Sequence, residues 1–223
     1  MGYLEAAAAQ LATLPDFASI VWQAQVRHYL PLIAQVVDQS ERRVLEGETV
    51  PAQDKLVSLF ETHADIIAKG GRAPCYGHKL NLTSGQSGLI LDVVVETSNP
   101  ADKARFLPML DRHIAFYGEP PRQAAADGGF ASRDNLEHAK ARGVADVAFH
   151  KKSGLRIEAM VKSRWVYRKL RNFRAGIEAS ISCLKRAFGL ARVTWRGLAH
   201  FEAYVWSSVV AYNLALLARL KPG

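Results

Sequence analysis

The chain has 223 residues, 49% of them hydrophobic, and a formal net charge of +8. That length and apolar content suit one sizeable soluble core with a small helical appendage, and exclude a chain too polar to fold. Two isolated cysteines, Cys75 and Cys183, without CxxC spacing, exclude a zinc ribbon and a disulfide framework and suit a reducing cytoplasm.

The charge is regional. From Lys151 to Arg196 there are 13 Lys or Arg against two acids, Glu158 and Glu178, so this segment carries +11 and the rest of the chain sums to about −3. A basic surface confined to one segment favours a polyanionic partner over general solubility. The first residues lack a basic n-region and a cleavable apolar run, so no signal peptide is expected. The most apolar stretch, Phe201 to Leu220, contains Glu202, Asn213 and Arg219 and reads as a buried C-terminal helix rather than a membrane span.

In chain order, apolar residues recur at helical spacing over residues 17–46, with Pro31 inside the run, which predicts two helices or one kinked helix. Lys55–Phe60 is a candidate strand and Gly70–Pro74 a loop. Two runs, Gly77–Thr83 and Leu89–Thr97, joined through the glycine-rich Ser84–Gly88 turn, form the clearest hairpin. Asn99–Asp102 caps a helix that runs to about Tyr117, with Phe106, Leu107, Leu110, Ile114 and Phe116 as its apolar members. A strand at Gln123–Ala126, a helix capped near Ser132 and a strand at Val144–Phe149 make a crossover unit, which implies parallel strands. A long basic helix or helix pair follows to about Gly189, then the C-terminal helix. This order is that of an RNase H-like α/β fold: a mixed sheet with flanking helices, plus N-terminal and C-terminal helices. The expected division is a helical segment over 1–50 and a catalytic domain over 51–223.

Chemistry concentrates at two acids. On a helix, Arg171, Arg174, Glu178, Ser182 and Lys185 share one stripe, with Ile177, Ile181, Leu184 and Phe188 on another about 85° away. Glu178 then sits at the edge of a buried face, either as an ordinary i,i+4 salt bridge or as a ligand at the lip of the core. Asp127 follows a small-residue strand and precedes two glycines. It is either a plain turn residue or a carboxylate at the carboxyl end of a parallel strand, where open α/β sheets place ligands. Two such acids among Arg and Lys supply what a hard divalent cation and a phosphodiester need. The seven histidines show no metal-ligand spacing and read as surface or core residues. Trp165, Tyr167 and Trp195 interleave with basic residues, so they either stack on bases or pack in the core. Asp92, mid-strand among apolar neighbours, reads as a sheet-face residue.

The run Arg174-x3-Glu178-x6-Lys185 resembles part of the signature of DDE transposases from bacterial insertion sequences. Asp127-Gly-Gly-Phe130 resembles their second-Asp motif, and Arg196-Gly197 with Ala211–Leu214 is similar to their C-terminal part. The segments Leu59–Ile67, Tyr76–Thr83 and Ser87–Val94 most resemble the ISNCY group. The resemblance covers the chain from about residue 25 onward. It implies a DNA strand-transferring enzyme acting on transposon ends and target DNA, with Mg²⁺ or Mn²⁺ held by Asp127 and Glu178. Arg168, Arg171, Arg174, Lys185 and Arg186 would then contact DNA. It also implies a cytoplasmic, nucleoid-associated protein and leaves room for a homodimer on DNA.

Two departures stand out. The family's Tyr three residues before the Arg is Arg171 here, and the early strand with the first catalytic Asp has no counterpart. The simplest expectation is a transposase frame shortened at its N-terminus, with Asp65 as the nearest substitute for the first carboxylate. The alternatives are a non-catalytic DNA-binding protein derived from a transposase, and a nuclease of the same fold that hydrolyses without strand transfer.

Overall fold

The structure is a computed structural model that describes residues 2–13, 16–68, 73–150 and 153–219. The chain divides into two compact units, Met1–His78 and Lys79–Gly223.

The N-terminal unit starts with α1 (Gly2–Leu11) and α2 (Phe17–Val44). Asp16 caps α2: its carboxylate accepts from the Ser19 backbone N–H at 3.0 Å and the Ser19 hydroxyl at 2.7 Å. Those bonds, the hydroxyl's foremost, hold the Asp16 carboxyl below its ordinary value. Of the two helices or one kinked helix that the sequence predicts, α2 is a single element with Pro31 inside it.

Lys55–Phe60 is not a strand, because its backbone groups are already taken. The Gln39 side chain accepts from the Leu56 N–H at 2.8 Å and donates to the Leu56 carbonyl at 2.9 Å. The Ser58 hydroxyl then accepts from the N–H groups of Phe60 and Glu61. Among the described residues the unit's strands are instead two three-residue pieces, β1 (Asp65–Ile67) and β2 (Cys75–Gly77), antiparallel with Asp65 opposite Gly77 and Ile67 opposite Cys75. Of the loop expected at Gly70–Pro74, residues 70–72 lie outside the described residues.

The second unit opens with the expected hairpin. β3 (Leu80–Ser84) and β4 (Ile90–Val95) are antiparallel from Leu80 opposite Val95 to a register shift between Thr83 and Ser84. A short 3-10 turn at Asp102–Ala104 precedes α3 (Phe106–Tyr117), so the helix starts later than the Asn99–Asp102 cap suggests. Gly118, at φ +78°, ends it in a left-handed conformation with its N–H on the Ile114 carbonyl. Phe116, one of the apolar members read along this helix, is 80% exposed.

The crossover unit is present as read from the sequence. β5 (Gln123–Ala126) lies parallel to β6 (Asp146–Phe149), from Gln123 opposite Asp146 to Ala126 opposite Phe149. α4 (Arg133–Ala141) between them is capped by the Ser132 hydroxyl on the Asn135 N–H. A one-turn α5 (Ile157–Met160), the long α6 (Arg164–Ala187) and α7 (Leu198–Leu217) follow. The architecture is mixed α/β. Among the described residues the hairpin and the parallel pair are separate two-stranded sheets.

Two hydrophobic clusters hold the second unit. One gathers Phe106, Leu110, Leu136, Val147, Phe149, Met160 and the first turns of α6, namely Val166, Tyr167 and Leu170. The other joins Ile90 and Val93 of β4 to Leu184 of α6 and Val205 and Val209 of α7. Each fully buried side chain of this size contributes about 1.5–3 kcal/mol, so α6 is the element that ties both clusters together. The C-terminal helix is buried on one face only: Val205, Ser208 and Val209 are enclosed, whereas Trp206, Val210, Leu214 and Leu217 are 42–61% exposed. It is fixed by Asn213, whose carboxamide accepts from the Ile90 N–H at 2.9 Å and donates to the Ile90 carbonyl at 2.8 Å.

Candidate metal and DNA site

Asp127 stands immediately beyond β5, at the carboxyl end of the parallel pair. Its Oδ1 accepts from the Gly128 N–H at 2.7 Å and caps the 3-10 turn at Gly128–Phe130, leaving Oδ2 directed elsewhere. The turn reading and the strand-end reading of this residue therefore both hold.

The partner of Oδ2 comes from α6. Val166, Tyr167 and Leu170 bury the first turns of that helix, and the Tyr167 hydroxyl donates to the Phe149 carbonyl at 2.9 Å, pinning the helix to the end of β6. Arg174 is one turn beyond Leu170 on the same side, since residues four apart are helix-surface neighbours. Its Nη2 lies 3.2 Å from Asp127 Oδ2, and its Nη1 donates to Glu178 Oε1 at 2.5 Å. One guanidinium thus bridges the two acids. The arginine side chain is 15% exposed, against 50% for Asp127 and 63% for Glu178. The planar fork suits this task because its donors diverge in a fixed geometry toward two carboxylates.

Glu178 forms the i,i+4 salt bridge of its first reading, and the same arginine also engages a strand-end carboxylate distant in sequence, which brings the two acids to one guanidinium. The donor set fits a hard divalent cation: Mg²⁺ is usually held by one or two carboxylates together with substrate phosphates, keeping several waters. Among the described residues no three His, Cys, Asp or Glu side chains converge to hold a metal ion.

Around these acids α6 is basic and open. Arg168, Arg171, Lys185 and Arg186 are exposed, and among the described residues no ion pair engages them. Arg171 lies over the Tyr167 ring at 5.9 Å, and Lys169 over the Trp165 ring at 5.4 Å. Of the interleaved aromatics, Tyr167 is a core residue, whereas Trp165 and Trp195 are 65% and 49% exposed.

His150 was expected to be an ordinary surface or core-satisfied histidine. It follows β6 as Asp127 follows β5, and its buried Nδ1 has no hydrogen-bond partner among the described residues. Asp65 lies in the N-terminal unit, on β1, with its carboxylate 3.5 Å from His78 Nδ1. Asp92 is a sheet-face residue, held by Arg112 through Nε at 2.6 Å and Nη2 at 2.8 Å.

Sequence reasoning missed two buried acids. Glu96 at the end of β4 is 5% exposed and accepts from Asn81 and Arg105, each at 2.6 Å. Asp146 on β6 is 2% exposed and accepts from the Gln123 carboxamide at 2.8 Å and the Lys162 N–H at 2.9 Å. Burial pushes the Asp146 carboxyl up, but those hydrogen bonds and the charges of Lys140 and Lys162 outweigh it and hold it below the ordinary value. Both acids are structural, and only their positions within apolar strands could have marked them.

Residues 39–214, well over half of the chain, match the model of the family described as the transposase DDE domain. No curated protein and no solved structure matches. No helix among the described residues is long and apolar enough to cross a membrane.

Proposed function

The chain belongs to the transposase DDE domain family, and on that premise we propose that it binds insertion-sequence DNA and that Asp127 and Glu178 hold a Mg²⁺ or Mn²⁺ ion for phosphodiester cleavage and strand transfer. The observation that carries this reading is the Arg174 bridge, which gathers a strand-end Asp and a helical Glu under one guanidinium. The order of hairpin, helix, parallel strand–helix–strand unit and long basic helix supports an RNase H-like frame for the site.

When bound, the ion supplies Lewis acidity to a phosphodiester oxygen and a more acidic water or 3′ hydroxyl. The chain's own residues do the rest. Asp127 and Glu178 present hard oxygen ligands, and Arg174, released from them, is placed to meet a phosphate. Arg168, Arg171, Lys185 and Arg186 along α6 neutralise the DNA backbone and position it.

The test is cleavage of a labelled duplex carrying the insertion-sequence end, with Mg²⁺ or Mn²⁺. Activity that disappears in Glu178→Gln supports the reading, and no cleavage at any metal concentration sinks it for this chain. A second reading is a non-catalytic DNA-binding protein derived from a transposase, which uses the exposed cations of α6 and leaves Asp127 and Glu178 paired to Arg174. It predicts DNA binding that weakens steeply with salt, without any cleavage.

A further inference from the structure

The N-terminal unit contains a line of four titratable side chains apart from the Asp127 and Glu178 pair. Glu61 Oε2 lies 2.8 Å from His63 Nε2, His63 Nδ1 lies 2.7 Å from His78 Nε2, and His78 Nδ1 lies 3.5 Å from Asp65 Oδ2. The strand pairing builds this line. Glu61 and His63 share a turn closed by the Ala64 N–H on the Glu61 carbonyl, Asp65 opens β1, and His78 follows Gly77, the residue opposite Asp65. The His78 side chain is fully enclosed, and that of His63 is 22% exposed.

The two imidazoles are nearly parallel, at 13°, with ring centroids 5.0 Å apart. That separation is the N···N distance plus about one ring radius at each end, so the rings meet edge to edge with their in-plane lone-pair directions facing each other. Nitrogens 2.7 Å apart require one proton between them. A carboxylate at each outer nitrogen favours an N–H there, and with the protons held on those outer nitrogens the two inner lone pairs converge on one point.

We propose that this pair is a binding site for a divalent transition-metal ion of the zinc class, held between His63 Nδ1 and His78 Nε2. Each ring then has the arrangement typical of a metal-bound histidine, one nitrogen on the ion and the other N–H facing a carboxylate. Imidazole nitrogens select such an ion over Mg²⁺. With Zn–N bonds of about 2.0–2.1 Å, the nitrogens separate to about 3.3 Å at a tetrahedral angle. His63 supplies that movement from its turn, because His78 is enclosed. Both acids address the outer nitrogens, so two nitrogens and water hold the ion, which is why three side chains do not converge here. The bound ion links the turn before β1 to the end of β2 and closes the hairpin.

Calorimetric titration of the full chain with Zn²⁺ in excess Mg²⁺, which keeps Asp127 and Glu178 occupied, reads the binding. Uptake of one ion is expected, abolished in His63→Gln and weakened about tenfold or more in Glu61→Gln. His28→Gln, His113→Gln and His200→Gln leave it unchanged. Circular dichroism of His63→Gln, chosen because it alters the more exposed ring, confirms that the variant is folded. Failure of the full chain to bind Zn²⁺, or binding by folded His63→Gln equal to that of the parent, overturns the proposal.

Discussion

Arg174 Nη2 lies 3.2 Å from Asp127 Oδ2, joining a helix in the basic segment to the end of a parallel strand. The same guanidinium donates to Glu178. If the two acids hold a divalent cation as proposed, cation and arginine would compete for the same oxygens. Arg174→Ala is expected to tighten Mn²⁺ binding several-fold in the absence of DNA, while lowering DNA cleavage because a phosphate-facing group is lost. Manganese titration followed by electron paramagnetic resonance checks the first half; unchanged affinity would show that the two acids do not share an ion. Arg174→Lys should not restore cleavage, because a single ammonium cannot reproduce the two-pronged geometry.

The exposed cations of α6 give a separate expectation. If Arg168 and Lys185 each contact a DNA phosphate, either alanine variant weakens binding across all sequences alike and reduces the salt slope by about one. Measuring binding by fluorescence anisotropy from low to moderate salt reads that slope. A variant with the parental slope would place its residue away from the DNA.

Asn213 clamps α7 onto the hairpin by occupying both backbone groups of Ile90. Asn213→Leu leaves that N–H and carbonyl without their partner and is expected to cost about 1–3 kcal/mol, with Tm falling about 2–4 °C per kcal/mol for a chain of this size. Tyr212 beside it donates to Ser180 at 2.9 Å. The Ala211–Leu214 stretch that resembles the family's C-terminal part thus secures α7. Thermal melts that leave Asn213→Leu within error of the parent would argue that α7 is held by its apolar face alone.

What the sequence disclosed follows from how local each signal is. The β3–β4 hairpin and the β5–α4–β6 unit were readable because glycine turns, the Ser132 cap and small-residue strands act over a few neighbours. Asp127 and Glu178 were readable as candidate carboxylates, but the guanidinium between them was not, since helical spacing shows Arg174 near Glu178 and says nothing of a distant strand. Lys55–Phe60 looked like a strand because its pattern is apolar, yet Gln39 had already claimed the Leu56 backbone. β1 and β2 were missed because three residues carry no usable periodicity. His63 and His78 have no ligand spacing, and only the pairing of those short strands brings their rings together.

Asp146 gives the chain a pH dependence whose sign can be worked out. Its carboxyl is held below the ordinary value in the folded protein, so the unfolded state binds the proton more readily. Its stabilising contribution is therefore fully present above about pH 5 and is lost as the pH falls through the folded-state value. Asp146→Asn removes the charge that the Gln123 carboxamide and the Lys162 N–H address, and at pH 7 it is expected to cost about 1–3 kcal/mol. Because the parent loses the same contribution on acidification, the Tm difference between parent and variant should narrow from pH 5 toward pH 3. Differential scanning calorimetry across that range checks it. A constant difference would mean that Asp146 acts through packing, with its hydrogen bonds indifferent to charge.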